Sequence, residues 1–138
     1  MIYFLPNNPE TLTLLIAGLQ LLKDPRRWCK GSMKQGQSYC INGALFEVGT
    51  PNYKMPDDYV SDDPLYYRGD LNRGQIPEPF WFLRQALKLE SDFSNIGLFN
   101  DDSETTHEQV LELLKSAIEL VESEMKQSLQ DWSDDRAA

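Results

Sequence analysis

Four places in this 138-residue chain could carry polar chemistry: Cys29, Cys40, His107 and the run Asn100-Asp101-Asp102. Cys40 is expected in the first turn of a short helix, where the helix dipole favours a thiolate. His107 is expected in the first turn of another helix, with Asn100 and Asp101 just before it. A nucleophilic cysteine served by a histidine and oriented by an amide or carboxylate is a coherent catalytic set. The bland reading of the same residues is stronger. Cysteine is often buried as a small hydrophobe, Asn and Asp are ordinary turn residues, and a histidine near a helix start is usually solvated. Zinc would suit the same side chains, but two cysteines ten residues apart lack the short spacing of structural zinc sites, so no metal and no cofactor is expected. A disulfide between them is not expected in a reducing cytoplasm.

The elements that would hold these residues are helical. The first helix is predicted over Pro9–Lys23, with Asn8 as N-cap and Leu12, Leu15, Ile16, Leu19 and Leu22 as its buried stripe. Asp24-Pro25 ends it, because a residue before proline leaves the α region. Residues 25–37 read as a basic loop. A short helix follows over Tyr39–Val48 with Ser38 as N-cap, and Gly43 inside it implies a close packing contact. Residues 50–78, with four prolines and Tyr53, Tyr59, Tyr66 and Tyr67, read as a long irregular loop. A third helix covers Glu78 or Pro79 to Leu89, with Trp81 on its outer side.

The last helix carries the clearest signal. Thr105 through Glu108 fits a capping box, and the pattern continues to about Trp132. Between Val110 and Val121, 8 of 12 residues are apolar, whereas only Met125, Leu129 and Trp132 are apolar among the next 11. A stripe that narrows in this way belongs to a helix leaving the body of the protein. Ile96–Phe99 is the only strand candidate. The fold class is therefore mostly α: one compact domain over 1–132, about four helices, a long loop at 50–78, and a disordered acidic tail at 133–138.

Charge limits the partners. The net charge is −9, with hydrophobic residues at 41% and charged residues at 25%, a globular balance. Residues 101–138 hold 11 acids and 3 bases, against 11 and 10 in residues 1–100, so the acidity belongs to the last helix. The opposite pole is Lys23, Arg26, Arg27, Lys30 and Lys34. The overall balance argues against nucleic acid and against anionic membranes. No apolar run approaches the length of a membrane span, and MIYFLPNNPE lacks the positive segment of a signal peptide, so the expected address is cytoplasmic.

Several of these residues also share an arrangement met elsewhere. Trp28-Cys29-x-Gly31, Tyr39-Cys40-x-x-Gly43-Ala44-Leu45, Phe99-Asn100-Asp101, and Thr105 or Thr106 ahead of Glu108-x-Val110 occur in this order. In this the chain resembles a family of small bacterial and phage proteins known only as a domain of unknown function. The resemblance covers most of residues 9–121 and implies that Cys40, Gly43, Asn100, Asp101 and the threonine cap meet in space. It implies no activity, and the preferred reading of the shared centre is a structural tie. The expected function is then binding to another protein, in the manner of a phage-type inhibitor or regulator working through charged surfaces. The contact residues would be Arg26, Arg27, Trp28, Lys30, Tyr66, Tyr67, Trp81, Met125, Leu129 and Trp132, with a homodimer through the last helix as one form. The alternative is a thiol-dependent enzyme centred on Cys40, with Asn100, Asp101 and His107.

Overall fold

The computed structural model describes residues 7–49, 73–74, 76–93 and 95–137. Most of the loop expected at 50–78, including Tyr66 and Tyr67, lies outside these residues. Among them the architecture is mostly α, with five α-helices and one two-stranded hairpin.

Helix α1 spans Asn8–Leu22. Its N-cap is Asn7, one residue earlier than the sequence suggests, and the Asn7 side chain accepts the Glu10 amide at 3.1 Å. Its buried face carries Thr11, Leu14, Leu15, Gly18 and Leu22, while Ile16 is exposed. The expected stripe is thus rotated by about one position. The helix is apolar around most of its circumference, so the packing partner selects the face, and Leu45 sits against Gly18. Asp24, extended as required before Pro25, caps a 3-10 turn over Pro25–Arg27.

The basic loop contains structure that short-range patterning does not reveal. Strand β1 (Lys34–Gln35) pairs antiparallel with β2 (Ser38–Tyr39). Gly36, at φ +61°, opens the two-residue turn with the sign a type II′ hairpin needs. Strands of two residues are too short to show alternation. Helix α2 then runs over Ile41–Gly49, starting two residues later than expected. Cys40 stands at its N-cap: its carbonyl accepts the Ala44 amide at 2.9 Å and its Sγ accepts the Gly43 amide at 3.3 Å. Cys40 therefore precedes the first turn rather than sitting in it.

Helix α3 covers Glu78–Glu90 and buries Phe80, Phe82, Leu83, Ala86 and Leu87, leaving Leu89 exposed. The strand candidate at Ile96–Phe99 is instead helix α4, Ile96–Asp101, capped by Asn95. Helix α5 runs over His107–Ala137, past the end expected at Trp132. Its capping box is real but displaced by one: the Gln109 amide donates to Thr106 Oγ1 at 3.2 Å, and the Thr106 amide donates to Gln109 Oε1 at 2.9 Å.

The core forms where the first half of α5 crosses α1 and α3, with α2 packed against α1. Val110, Leu113, Leu114, Ala117 and Val121 supply α5's share. Every residue from Lys126 to Asp135 is exposed, so the narrowing stripe does mark the departure of the helix from the body.

Two glycines separate close contact with backbone from close contact with a movable side chain. A Cβ on Gly43 would lie 1.9 Å from the Met33 carbonyl oxygen, whereas one on Gly18 would lie 2.8 Å from Leu45 Cδ2. Gly43→Ala is expected to cost about 3 kcal/mol or more, because the hairpin backbone must move. Gly18→Ala should stay within about 1 kcal/mol of wild type, since improved helix propensity offsets a shift of the Leu45 methyl. Urea denaturation of the two variants checks both values.

Candidate functional site

Part of the polar set singled out by sequence is joined at Asn100, which is 1% exposed at the end of α4. Its Oδ1 accepts the Trp28 indole N–H at 2.8 Å and the Ile41 amide at 3.1 Å. Its Nδ2 donates to the Cys29 carbonyl at 3.0 Å and to Asp101 Oδ1 at 3.0 Å. All four hydrogen-bonding positions of the amide are used, as a buried amide requires. Asp101 Oδ1 also accepts the Gly31 amide at 2.8 Å, and Lys30 Nζ donates to the Asp102 carbonyl at 2.5 Å. Lys30 lies over the Trp28 ring, 5.4 Å from its centroid.

One side chain thereby joins the 3-10 turn, the basic loop, the start of α2 and the end of α4. The local sequence explains why it can. Trp28 is held extended by a parallel bridge to Tyr39, with the Cys29 amide donating to the Tyr39 carbonyl at 3.0 Å. Gly31, at φ +81°, turns the chain so that its amide meets Asp101.

The predicted catalytic set does not assemble. His107 Nε2 lies 2.6 Å from the Leu22 carbonyl and its ring stands against Trp28 at 5.8 Å. Among the described residues no hydrogen bond joins it to either thiol. Cys40 is 3% exposed, and burial pushes its thiol up to about 11, outweighing the opposing amide of Gly43. This reverses the expected lowering by a helix dipole. Cys29 is half-buried and its thiol is also raised, first by desolvation. Among the described residues no three or more histidine, cysteine or carboxylate groups are placed to hold a metal ion.

A second polar node went unseen in the sequence. Arg73 donates to Glu78 Oε2 from Nε at 3.3 Å and from Nη2 at 3.1 Å, and to both oxygens of Glu124 at 2.7 and 2.6 Å. Glu78, 6% exposed, also accepts the Asn7 amide and the Thr11 hydroxyl on Oε1, and Asn8 Nδ2 donates to Glu124 at 2.6 Å. The Arg73 guanidinium stands over Trp81 at 4.8 Å, which explains why that ring is half-buried. Nothing local marks the Glu124 contact, because Arg73 and Glu124 are 51 residues apart.

Of the predicted contact residues, Arg26 and Arg27 are exposed, with Arg26 paired to Asp24 at 2.8 Å. Trp28 and Lys30 are committed to the Asn100 tie. Met125 is half-buried, and Leu129 and Trp132 are 66% and 57% exposed. A cleft of about 300 Å³ lies between α3 and the start of α5, floored by Leu87, Phe93 and Phe99 and rimmed by Glu90, Asp102, Glu104 and Glu112. Among the described residues no helix is long and apolar enough to cross a membrane.

Fold and site together define a small helical protein whose basic loop is tied by a buried asparagine to α2 and α4. A family model described as a family of unknown function (DUF6197) matches residues 6–120. The chain belongs to that family. No curated protein and no solved structure matches it. The matched span contains the whole Asn100 tie and stops before the exposed half of α5.

Two variants test these nodes. Asn100→Ala strands the Trp28 and Ile41 donors and should cost about 3 kcal/mol in urea unfolding. Asn100→Asp sets a second oxygen against two acceptors, so its deficit should be larger at neutral pH than under mildly acidic conditions. For the second node, the Arg73 guanidinium holds the Glu124 carboxyl below its usual range, against a smaller desolvation effect. A depressed acid stabilises the fold above its unfolded pKa and loses that contribution as pH falls through its folded pKa. The stability gap between wild type and Glu124→Gln should therefore be constant near neutrality. It should shrink below about pH 4, read by thermal unfolding across the range.

Proposed function

We propose that the chain is a protein-binding module whose contact surface is the acidic, exposed half of α5. The observation that carries this reading is the exposure of every residue from Lys126 to Asp135 on a helix whose first half is in the core. Leu129 and Trp132 present apolar surface there at i and i+3, flanked by Asp131, Asp134 and Asp135. The matching partner is a basic groove with an apolar floor, the mode in which an amphipathic helix docks. By occupying such a surface the module would inhibit or regulate the protein that owns it. The Asn100 tie, on this reading, is structural.

A photo-crosslinking residue at position 129, with one at the equally exposed Leu89 position as control, tests this in an extract of the source cell. The expected result is one discrete adduct with another protein from position 129 alone, lost with added salt and on reversing Asp131, Asp134 and Asp135 to lysine. Equal adducts from both positions, or an adduct indifferent to charge reversal, would overturn the reading. An adduct at twice the chain's own mass would make this surface a dimer interface instead.

A further inference from the structure

We propose that Cys29 and Cys40 form a reversible dithiol–disulfide site that responds to small-molecule disulfides of the glutathione class. The placement comes from backbone pairing. Trp28 and Tyr39 form a parallel bridge, and the Cys29 amide donates to the Tyr39 carbonyl at 3.0 Å. The next residues along the two segments are Cys29 and Cys40. Adjacent strands lie about 4.8 Å apart, inside the Cα separation that a disulfide spans. The segment between them folds back on both sulfurs: Cys29 Sγ meets the Ser32 carbonyl at 3.5 Å, and Cys40 Sγ meets Met33 Sδ at 3.7 Å. The charge of a Cys29 thiolate is also felt at Cys40, which places the two within electrostatic reach.

Their exposures assign the order of events. Cys29 is half-buried and meets the oxidant first, while Cys40 is buried and resolves. The Cys29 thiolate attacks one sulfur of glutathione disulfide, its S–S bond breaks, and one glutathione thiolate leaves. Cys40, having released its proton to water, then attacks Cys29 Sγ and expels the second glutathione thiolate. The two protons from the protein thiols are taken up by the two released thiolates, so one small disulfide is reduced as the protein pair is oxidised. Burial raises both thiols, so closure accelerates as pH rises. Closure also redirects Cys40 Sγ away from the Gly43 amide, removing the side-chain cap of α2.

The test is equilibration of the full chain in glutathione redox buffers, with acid quenching, alkylation and peptide mass mapping. The expected product is an intrachain Cys29–Cys40 link in monomers. The effective concentration of the pair should be at least about tenfold higher in the native chain than in denaturant. Cys29→Ser and Cys40→Ser should both abolish it, and the second keeps a competent capping oxygen, so its fold is retained. Oxidation should also speed hydrogen exchange at the Gly43 amide. An effective concentration no higher than in denaturant, arrest at a glutathione adduct on Cys29, or links between chains would each overturn the proposal.

Discussion

The structure depends on one buried amide having all its hydrogen bonds made at once. Asn100 supplies two acceptor positions and two donors, and each meets a group from a different part of the chain or its own neighbour. None of those groups is satisfied within its own element. The Ile41 amide lies at the unpaired start of a helix, the Cys29 carbonyl lies in a loop, and the Trp28 N–H has no backbone alternative. In a dry site each would cost roughly 1–3 kcal/mol if stranded. The loop has so little regular structure that this tie, with the hairpin behind it, sets where Trp28 lies.

The opposite side of the domain is held by charge. Arg73 brings two carboxylates from α3 and α5 to one guanidinium, while Asn7, Asn8 and Thr11 at the start of α1 complete their remaining positions. The two nodes differ in kind. The first centres on a neutral, buried amide; the second is partly solvated and weakens as its carboxylates are protonated or screened. Between them runs the apolar contact of α5 with α1 and α3, which supplies most of the burial.

What could be read from sequence follows the range of the interactions. The start of the last helix, its threonine cap and its loss of apolar stripe are local; the cap appears within a residue of its expected place, while the helix runs on past its expected end to Ala137. The family resemblance implied a meeting of Cys40, Gly43, Asn100, Asp101 and the threonine cap; of this the structure shows Asn100 bonded to Asp101 and to the Ile41 amide beside Cys40, which in turn caps Gly43. The hairpin was not legible, because two-residue strands carry no period. The Ile96–Phe99 segment misled, because a four-residue apolar run suits a strand or a buried turn of helix alike, and the Asn95 cap decided it. The thiol of Cys40 moved opposite to expectation because burial outweighs a single amide, and burial is a property of the finished core. The Arg73 node was invisible since Glu124 and the start of α1 are distant from it in sequence.

The departure of α5 from the core has a consequence for how the family can change. Beyond Met125 about three helical turns add almost nothing to the buried core. Substitutions over residues 126–135 should therefore cost the fold far less than substitutions at Val110, Leu114 or Asn100. The family match ends at residue 120, at the edge of this region. The protein is in this sense divided between a chassis that stability holds fixed and an appendage whose side chains stability leaves free to change.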